Sequence, residues 1–551
     1  MFSIIEIMLK RKIINCLAGV IKESVVIEVS VPENEKFGHY STNVALRLAK
    51  IQGKGPMETA QEITQKLKNL KTKDSEIFEK IEVAAPGFVN FWLLKSDFQN
   101  EVKEILKTKE GYGKTKLKDK NKKLKINIEF ISANPTGQLT IGNGRGGFLG
   151  DVLGKVLEFS GHDVTREYYV NNAKVSNQVR ELGKTAVGEG TSYLTEDLKD
   201  KISELKTKIA KIKAKKPKNL YGEVGYLITA EIQKENQKFI EKELKIKFDK
   251  WFIEEDLYKN GATEELLEEL KKKDLVYEKD GALWFKTSGF GDTEDRVLIR
   301  TPREVGQVGE PTYFLSDLAY HLNKVKERKF DLMIDIWGAD HHGYLPRLKA
   351  GLKSLGVAED KLMAIITQLV RLKKDGKEFK MSKRSGEFVT MKDLIEEVGL
   401  DAVRFFFLMS SPDTHMDFDL DLAKEQSLKN PVYYAQYAAV RCGSILRKSK
   451  AGSSKAKINF ELLNTPEDVN LMRILAQFPE IIEEAAKIYN PQILVRYCLD
   501  LARCFHNFYE KERIIGEGKD LMAARLELLK ATQIIFKSVF SILGITLIAK
   551  M

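Results

Sequence analysis

Cysteine is scarce in this 551-residue chain: there are four, Cys16, Cys442, Cys498 and Cys504. They are widely scattered and show no CxxC pairing, which argues against a disulfide framework and a zinc site and predicts buried small apolar residues. Long apolar runs are missing too. Nothing approaches the ~20 consecutive apolar residues that cross a bilayer, and 31% of the residues are charged, so a soluble chain with no membrane partner is expected. Residues 1–12 set an apolar patch ahead of their basic residues, the reverse of a secretory signal. A cytoplasmic location is the expectation. Acidic residues are in deficit: 79 Asp and Glu against 90 Lys and Arg give a net charge of +11, which favours a polyanionic partner.

The charge is unevenly placed. Lysines crowd residues 114–125 and 206–218, and a Ser/Lys-rich break covers 448–457. Such blocks are either solvated linkers and helix faces or sources of salt-sensitive attraction to phosphate. With these breaks as boundaries the chain divides into residues 1–108, 109–400 and 401–551. The first part has helical patterns at 45–50 and 60–70 beside strand-like stretches at 25–31 and 82–92, a small α/β domain. The second predicts a doubly wound parallel sheet, Rossmann-like, split by a helical insertion at about 180–290, where charges interleave with Leu and Ile at helical spacing. The third is expected to be all-helical. Its apolar stripes, Leu471, Ile474, Leu475 and Phe478, then Leu494, Tyr497, Cys498, Leu501 and Phe505, suit a bundle.

Two short runs carry chemistry. Asn134-Pro135-Thr136-Gly137-Gln138-Leu139-Thr140-Ile141-Gly142-Asn143 follows the apolar stretch 124–131, read as a strand, and precedes a helix expected to start near Arg145. At such a strand-to-helix turn, backbone N–H groups and the positive helix end face an anion. Gly137, Gly142 and Gly144 would let a phosphate or ribose approach the backbone. Taken alone, a glycine-rich turn is as well a structural loop or a generic phosphate loop. The second run, Lys380-Met381-Ser382-Lys383-Arg384-Ser385-Gly386, offers two lysines and a hydroxyl to a leaving pyrophosphate. Together they read as two halves of one ATP site.

The pair resembles the HIGH and KMSKS signatures of class I aminoacyl-tRNA synthetases, which activate an amino acid carboxylate on the α-phosphate of ATP. The second signature is intact. In the first, Thr140 and Asn143 replace both histidines, a form familiar in tryptophanyl members of the class. Further runs resemble the arginyl branch of bacterial type, in order from about residue 25 to the C-terminus. They are Ile128-Glu129-Phe130-Ile131-Ser132-Ala133-Asn134, Arg166-Glu167-Tyr168-Tyr169-Val170-Asn171-Asn172, Gly309-Glu310-Pro311-Thr312-Tyr313-Phe314 with Ser316-Asp317, Ile336-Trp337-Gly338-Ala339-Asp340-His341-His342-Gly343-Tyr344, Ser411-Pro412-Asp413 with Asp417-Phe418-Asp419, and Asn430-Pro431-Val432-Tyr433-Tyr434-Ala435-Gln436-Tyr437-Ala438.

The resemblance implies an ATP-dependent ligase that charges tRNA(Arg) with arginine, with ATP as substrate, Mg2+ accompanying it, and a monomeric chain. It places ATP on Ala133, Asn134, Pro135, Thr136, Gly137, Gln138, Leu139, Thr140, Ile141, Gly142, Asn143, Gly338, Asp340 and Met381. Thr140, Gly142 and Asn143 would supply neutral donors, Lys380 and Lys383 mobile positive charge, and Ser382 a hydroxyl. Arginine would be held by Asp317 at its guanidinium and Tyr313 on its stem or guanidinium face, four residues apart and so on one helical face. Glu129 and Asn134 would take the α-amino group and backbone. Asp317 reads equally as a helix N-terminal cap. His341 and His342 lack a third ligand at i+4 spacing, so no metal site is expected. For tRNA the resemblance points to Phe88, Asn90, Tyr433, Gln436 and Tyr437. Aromatic and amide groups stack on and bond to unpaired bases, but the same residues could pack a strand, a turn or a helix pair. Two other activities remain open: a histidine-less paralogue that binds tRNA with weakened catalysis, and a nucleotidyltransferase acting on a small molecule. Retention of both terminal RNA-binding parts argues against the latter.

Overall fold

The computed structural model describes residues 8–115, 117, 123–302, 309–379, 390–449 and 458–551. Two compact units result. One joins Met1–Lys118, Phe159–Gly161 and Gln426–Met551, and the other joins Asp119–Glu158 and His162–Glu425.

The second unit is built on a five-stranded parallel sheet. Lys125–Glu129 lies at its centre, with Leu332–Gly338 and then Leu362–Thr367 on one side, and Asp163–Val170 and then Lys250–Ile253 on the other. Ile126, Ile128, Met333 and Ile334 are wholly buried, as befits a sheet covered on both faces. In chain order the winding starts at the central strand, runs to one side, then reverses to the other. Ligands of such sheets bind at the carboxyl ends of the two strands flanking the reversal, here Lys125–Glu129 and Leu332–Gly338. The expected doubly wound fold is present.

The helix after the central strand runs Ile141–Phe159, starting four residues ahead of Arg145. It lies close to the sheet because glycines face it: a Cβ on Gly150 would stand 2.3 Å from the Phe130 ring, and one on Gly154 2.9 Å from the Arg166 guanidinium. The stretch 180–290 contains the expected helices, among them Glu196–Ala214, Leu220–Lys242 and Ala262–Lys272. It also contains the edge strand Lys250–Ile253 and the hairpin Val276–Lys279 and Ala282–Phe285, which pairs with Arg296–Ile299 in a separate antiparallel sheet. Four-residue strands are too short to display a period. For the same reason Met416–Asp419, which pairs in parallel with Val370–Lys374, interrupts a region expected to be wholly helical beyond residue 400.

In the first unit, Phe88–Leu93 is the middle strand of an antiparallel sheet with Tyr40–Thr42 and Phe78–Ala84. The strand-like stretch 25–31 makes only an isolated bridge, Ser30 to Ser41. The same unit contains the helices Pro431–Lys448, Pro466–Ala476, Phe478–Lys487, Gln492–Lys511 and Lys519–Leu543. Their predicted stripes are buried, Leu471, Leu475, Phe478, Leu494, Cys498, Leu501 and Phe505 completely. N- and C-terminal parts of the unit are fastened at Glu480, which accepts from the Tyr40 hydroxyl at 2.9 Å and the Lys10 backbone N–H at 3.0 Å. None of the four cysteines is in a disulfide, and Cys16, Cys442 and Cys498 are buried. Among the described residues no helix is long and apolar enough to cross a membrane.

Candidate active site

The loop leaving the central strand is bent against its residues' preferences. Ile131 and Ser132 have φ of +67° and +36°, uncommon for any side chain and costly for a β-branched one. Such conformations persist where surrounding bonds enforce them, often at functional sites. Here the Asn171 amide donates to Ser132 O at 2.8 Å, Tyr168 Oη to Ala133 O at 3.3 Å, and the Tyr169 N–H to Ser132 Oγ at 3.0 Å. Ser132 Oγ in turn donates to Glu129 Oε1 at 3.0 Å.

Past this bend Pro135 and Leu139 are buried, Asn134 and Gln138 are exposed, and Thr136 is partly buried. The Asn236 amide holds Gly137 O at 3.0 Å. Thr140 starts the helix, and its N–H and hydroxyl both donate to Asn143 Oδ1, at 2.9 and 2.8 Å. With the Thr140 hydroxyl proton directed at Asn143, the donor left for a ligand is the Asn143 amide nitrogen. Of the three glycines read as making room for a nucleotide, Gly137 has nothing within 4 Å of a Cβ and Gly142 only Thr140 Oγ1 at 3.8 Å. Gly144 instead makes room for Met391, whose sulfur would be 2.2 Å from a Cβ.

Thr140 also forms a bridge with Thr390, and the Met391 N–H donates to Leu139 O at 2.9 Å. The chain emerging from 380–389 is thereby attached to the first signature. Lys380, Met381, Ser382 and Lys383 lie outside the described residues. Arg145, buried on the same helix, donates to Gln368 O and Ser411 O at 2.7 Å each and to Thr414 O at 3.0 Å. Gln368 directly follows the strand Leu362–Thr367, so this guanidinium ties the first-signature helix to two further segments. Its motif position gave no hint of that role.

At the end of Leu332–Gly338, Gly338 is partly buried, and Asp340, His341 and His342 are exposed. Asp317 is in the helix Tyr313–Leu322, whose N-cap is Thr312, so Asp317 is no cap. Its Oδ2 accepts from the Tyr344 hydroxyl at 2.6 Å. Burial raises its pKa to about 6, against the pull of that bond and of His321. Tyr313 is 59% exposed, its ring 5.6 Å from that of Tyr344. Glu254 is a further acid that the sequence reading missed. Burial raises its pKa to about 7, and it accepts from the Ala173 N–H at 3.1 Å and from Ser316 Oγ at 3.0 Å. Its signal was available: like Glu129, it stands at the carboxyl end of a sheet strand.

In the other unit, Phe88 is exposed, whereas Asn90 is buried and accepts from Ser41 Oγ at 2.7 Å. Tyr433 and Tyr437 stack with ring centroids 6.4 Å apart, and Tyr437 lies 5.7 Å from His506. Arg441 lies over Tyr437 and Tyr509. Gln436 is buried and donates to Thr546 O at 3.1 Å.

Three family descriptions match in sequence order: "Arginyl tRNA synthetase N terminal domain" over residues 5–93, "tRNA synthetases class I (R), catalytic domain" over 101–407, and "DALR anticodon binding domain" over 435–551. The chain belongs to the arginyl-tRNA synthetase family. It is 41% identical over 543 residues to the arginine–tRNA ligase of Listeria welshimeri, spanning 95% of this chain and 94% of that one. The arginine–tRNA ligase of Bacillus subtilis is 39% identical over 556 residues, 97% and 96% of the two chains. The fold is that of the Thermus thermophilus arginyl-tRNA synthetase, with a TM-score of 0.77, 22% identity, and 99% and 100% of the chains covered. Within this family the catalytic match spans both the Thr140 helix start and Asp317.

Proposed function

We propose that the chain is an arginine–tRNA ligase. It joins arginine and ATP into arginyl-adenylate, releasing pyrophosphate, and passes the arginyl group to the 3′-terminal adenosine of tRNA(Arg). The observation that carries this is the pairing of Thr140 with Thr390, which fastens the chain leaving the second signature to the first at the helix start.

Attack of the carboxylate on the α-phosphate spreads negative charge over a crowded centre, so catalysis is positioning and electrostatic stabilisation. Asn143, oriented by Thr140, donates to a phosphate oxygen beside the Gly142 N–H. Lys380, Lys383 and Ser382 meet the departing pyrophosphate, and Mg2+ enters with ATP. Residues 133–143, Gly338, Asp340 and Met381 hold the nucleotide. Asp317 pairs with the guanidinium under Tyr313, while Glu129 and Asn134 hold the α-amino end. Residues 109–400 perform this chemistry, 1–108 contact tRNA through Phe88, and 401–551 read it on the stacked surface of Tyr433, Tyr437 and His506. Asn90 and Gln436, both buried, belong to the same strand and helix as these contacts. The chain acts as a cytoplasmic monomer.

The test is charging of tRNA with labelled arginine by the unmodified protein and Asn143→Ala side by side. Ready charging by the first and a kcat loss of about 3 kcal/mol in the second are expected for removal of one preorganised donor. Equal, near-background rates would leave a tRNA-binding paralogue.

A further inference from the structure

Three carboxylates stand in one row across the sheet. Asp335, Glu129 and Glu167 are register partners on adjacent parallel strands, so they point to one face with a strand spacing of about 4.8 Å. All three are buried. Like charges so close in a dry interior repel strongly. The segment that continues the Asp317 helix, Asn323–Glu327, together with the residue after it, brings two cations to the row. Lys324 Nζ, wholly buried, donates to Glu129 Oε2 at 2.7 Å and to Asp335 Oδ1 at 3.2 Å. Arg328 donates to both oxygens of Glu167, and the Tyr320 hydroxyl donates there as well.

A third group completes the set. His321 Nε2 is 2.8 Å from Asp335 Oδ2, and its Nδ1 is 2.7 Å from the Asp317 carbonyl oxygen. An unbroken path of polar contacts thus runs from Glu129 through Lys324, Asp335 and His321 to the backbone of Asp317. Glu129, His321 and Asp335 also lie close enough to ligate a metal, but the ammonium already bridges two of them. The row of three acids is thus met by the Lys324 ammonium, the Arg328 guanidinium and the His321 ring.

We infer that Lys324 is a positioning and specificity residue for arginine: it occupies Glu129 Oε2, turns Oε1, which already accepts from Ser132 Oγ, to accept from the substrate's ammonium as well, and fixes the spacing of Glu129 from Asp317. This rests on the arginine–tRNA ligase reading above. Without Lys324, Glu129 can turn, and a surplus negative charge joins that of Asp317.

The experiment measures KM for arginine and for ATP in tRNA charging by the full chain as unmodified protein, Lys324→Met, Glu129→Gln and the double variant. Lys324→Met is expected to raise the arginine KM at least tenfold, to change the ATP KM less than twofold, and to add nothing in the Glu129→Gln background. Independent effects that multiply in the double variant, or arginine and ATP constants that shift together, overturn the inference. If Lys324→Met does not fold, Lys324→Met with Asp335→Asn removes a cation and an anion together and must show the same arginine-selective loss. An unmodified protein that fails to charge arginine overturns the ligase reading and this inference with it. Normal charging with Lys324 variants unaffected overturns this inference alone.

Discussion

In the proposed role Asp317 must be ionised to hold a guanidinium, yet burial raises its pKa to about 6 in the unliganded protein. Its value is raised, so the folded state binds the proton more tightly than the unfolded one. The carboxylate therefore weakens folding as pH rises from the ordinary 3.8 to about 6, and a bound guanidinium reverses that by favouring the charged form. Because kcat/KM reports the free enzyme and kcat the complex, kcat/KM for arginine should fall as pH drops below about 6 while kcat falls less. Asp317→Asn should flatten that limb and cost about 2–4 kcal/mol in kcat/KM; an unchanged pH profile and wild-type charging would remove Asp317 from the site. The placing of Tyr313 and Asp317 on one helix was legible because spacing of four on a helix is a local property. The burial of Asn90 and Gln436 was not, since their partners Ser41 and Thr546 are far away in sequence.

The helix Ile141–Phe159 offers a test of which glycines serve packing and which serve a ligand. Gly150→Ala drives a Cβ to 2.3 Å from the Phe130 ring and should destabilise by about 1–3 kcal/mol, as overpacking does. Gly142→Ala meets only Thr140 Oγ1 at 3.8 Å, and alanine suits a helix better than glycine by about 1 kcal/mol. Its melting temperature should hold or rise while the KM for ATP increases. A Gly142→Ala protein with unaltered ATP kinetics would show that the open space there is not a nucleotide's. Elements with a long period, such as 264–273 and the C-terminal stripes, were readable from the sequence. The helix start was misplaced because Gly142 and Gly144 read as loop residues, whereas Thr140 and Asn143 bond to each other and begin the helix there. Short strands such as Lys250–Ile253 exist through their neighbours' hydrogen bonds and leave almost no mark in the sequence.

On the scale of the molecule, the parallel sheet and the helical bundle were both legible, but the assembly of the two chain ends into one compact unit was not, because no local pattern records it. Glu480 is its fastening point and carries a measurable signature. Burial raises its pKa to about 7, against the Lys10 N–H, the Tyr40 hydroxyl and the Lys10 ammonium, while Glu101 nearby pushes the same way as burial. The folded state thus favours the proton between the ordinary 4.5 and about 7, and stability drains away as pH rises through that window. Glu480→Gln keeps an acceptor and cannot ionise, so it should match the unmodified protein near pH 4 and exceed it by on the order of 3 kcal/mol at pH 8; parallel melting curves at both pH values would refute this. Tyr40, wholly enclosed, reaches its partner only after the whole of the intervening unit has left the ribosome. At 5–20 residues per second that is a wait on the order of tens of seconds. During translation the nascent N-terminal part therefore carries an uncovered docking face until the last helices arrive.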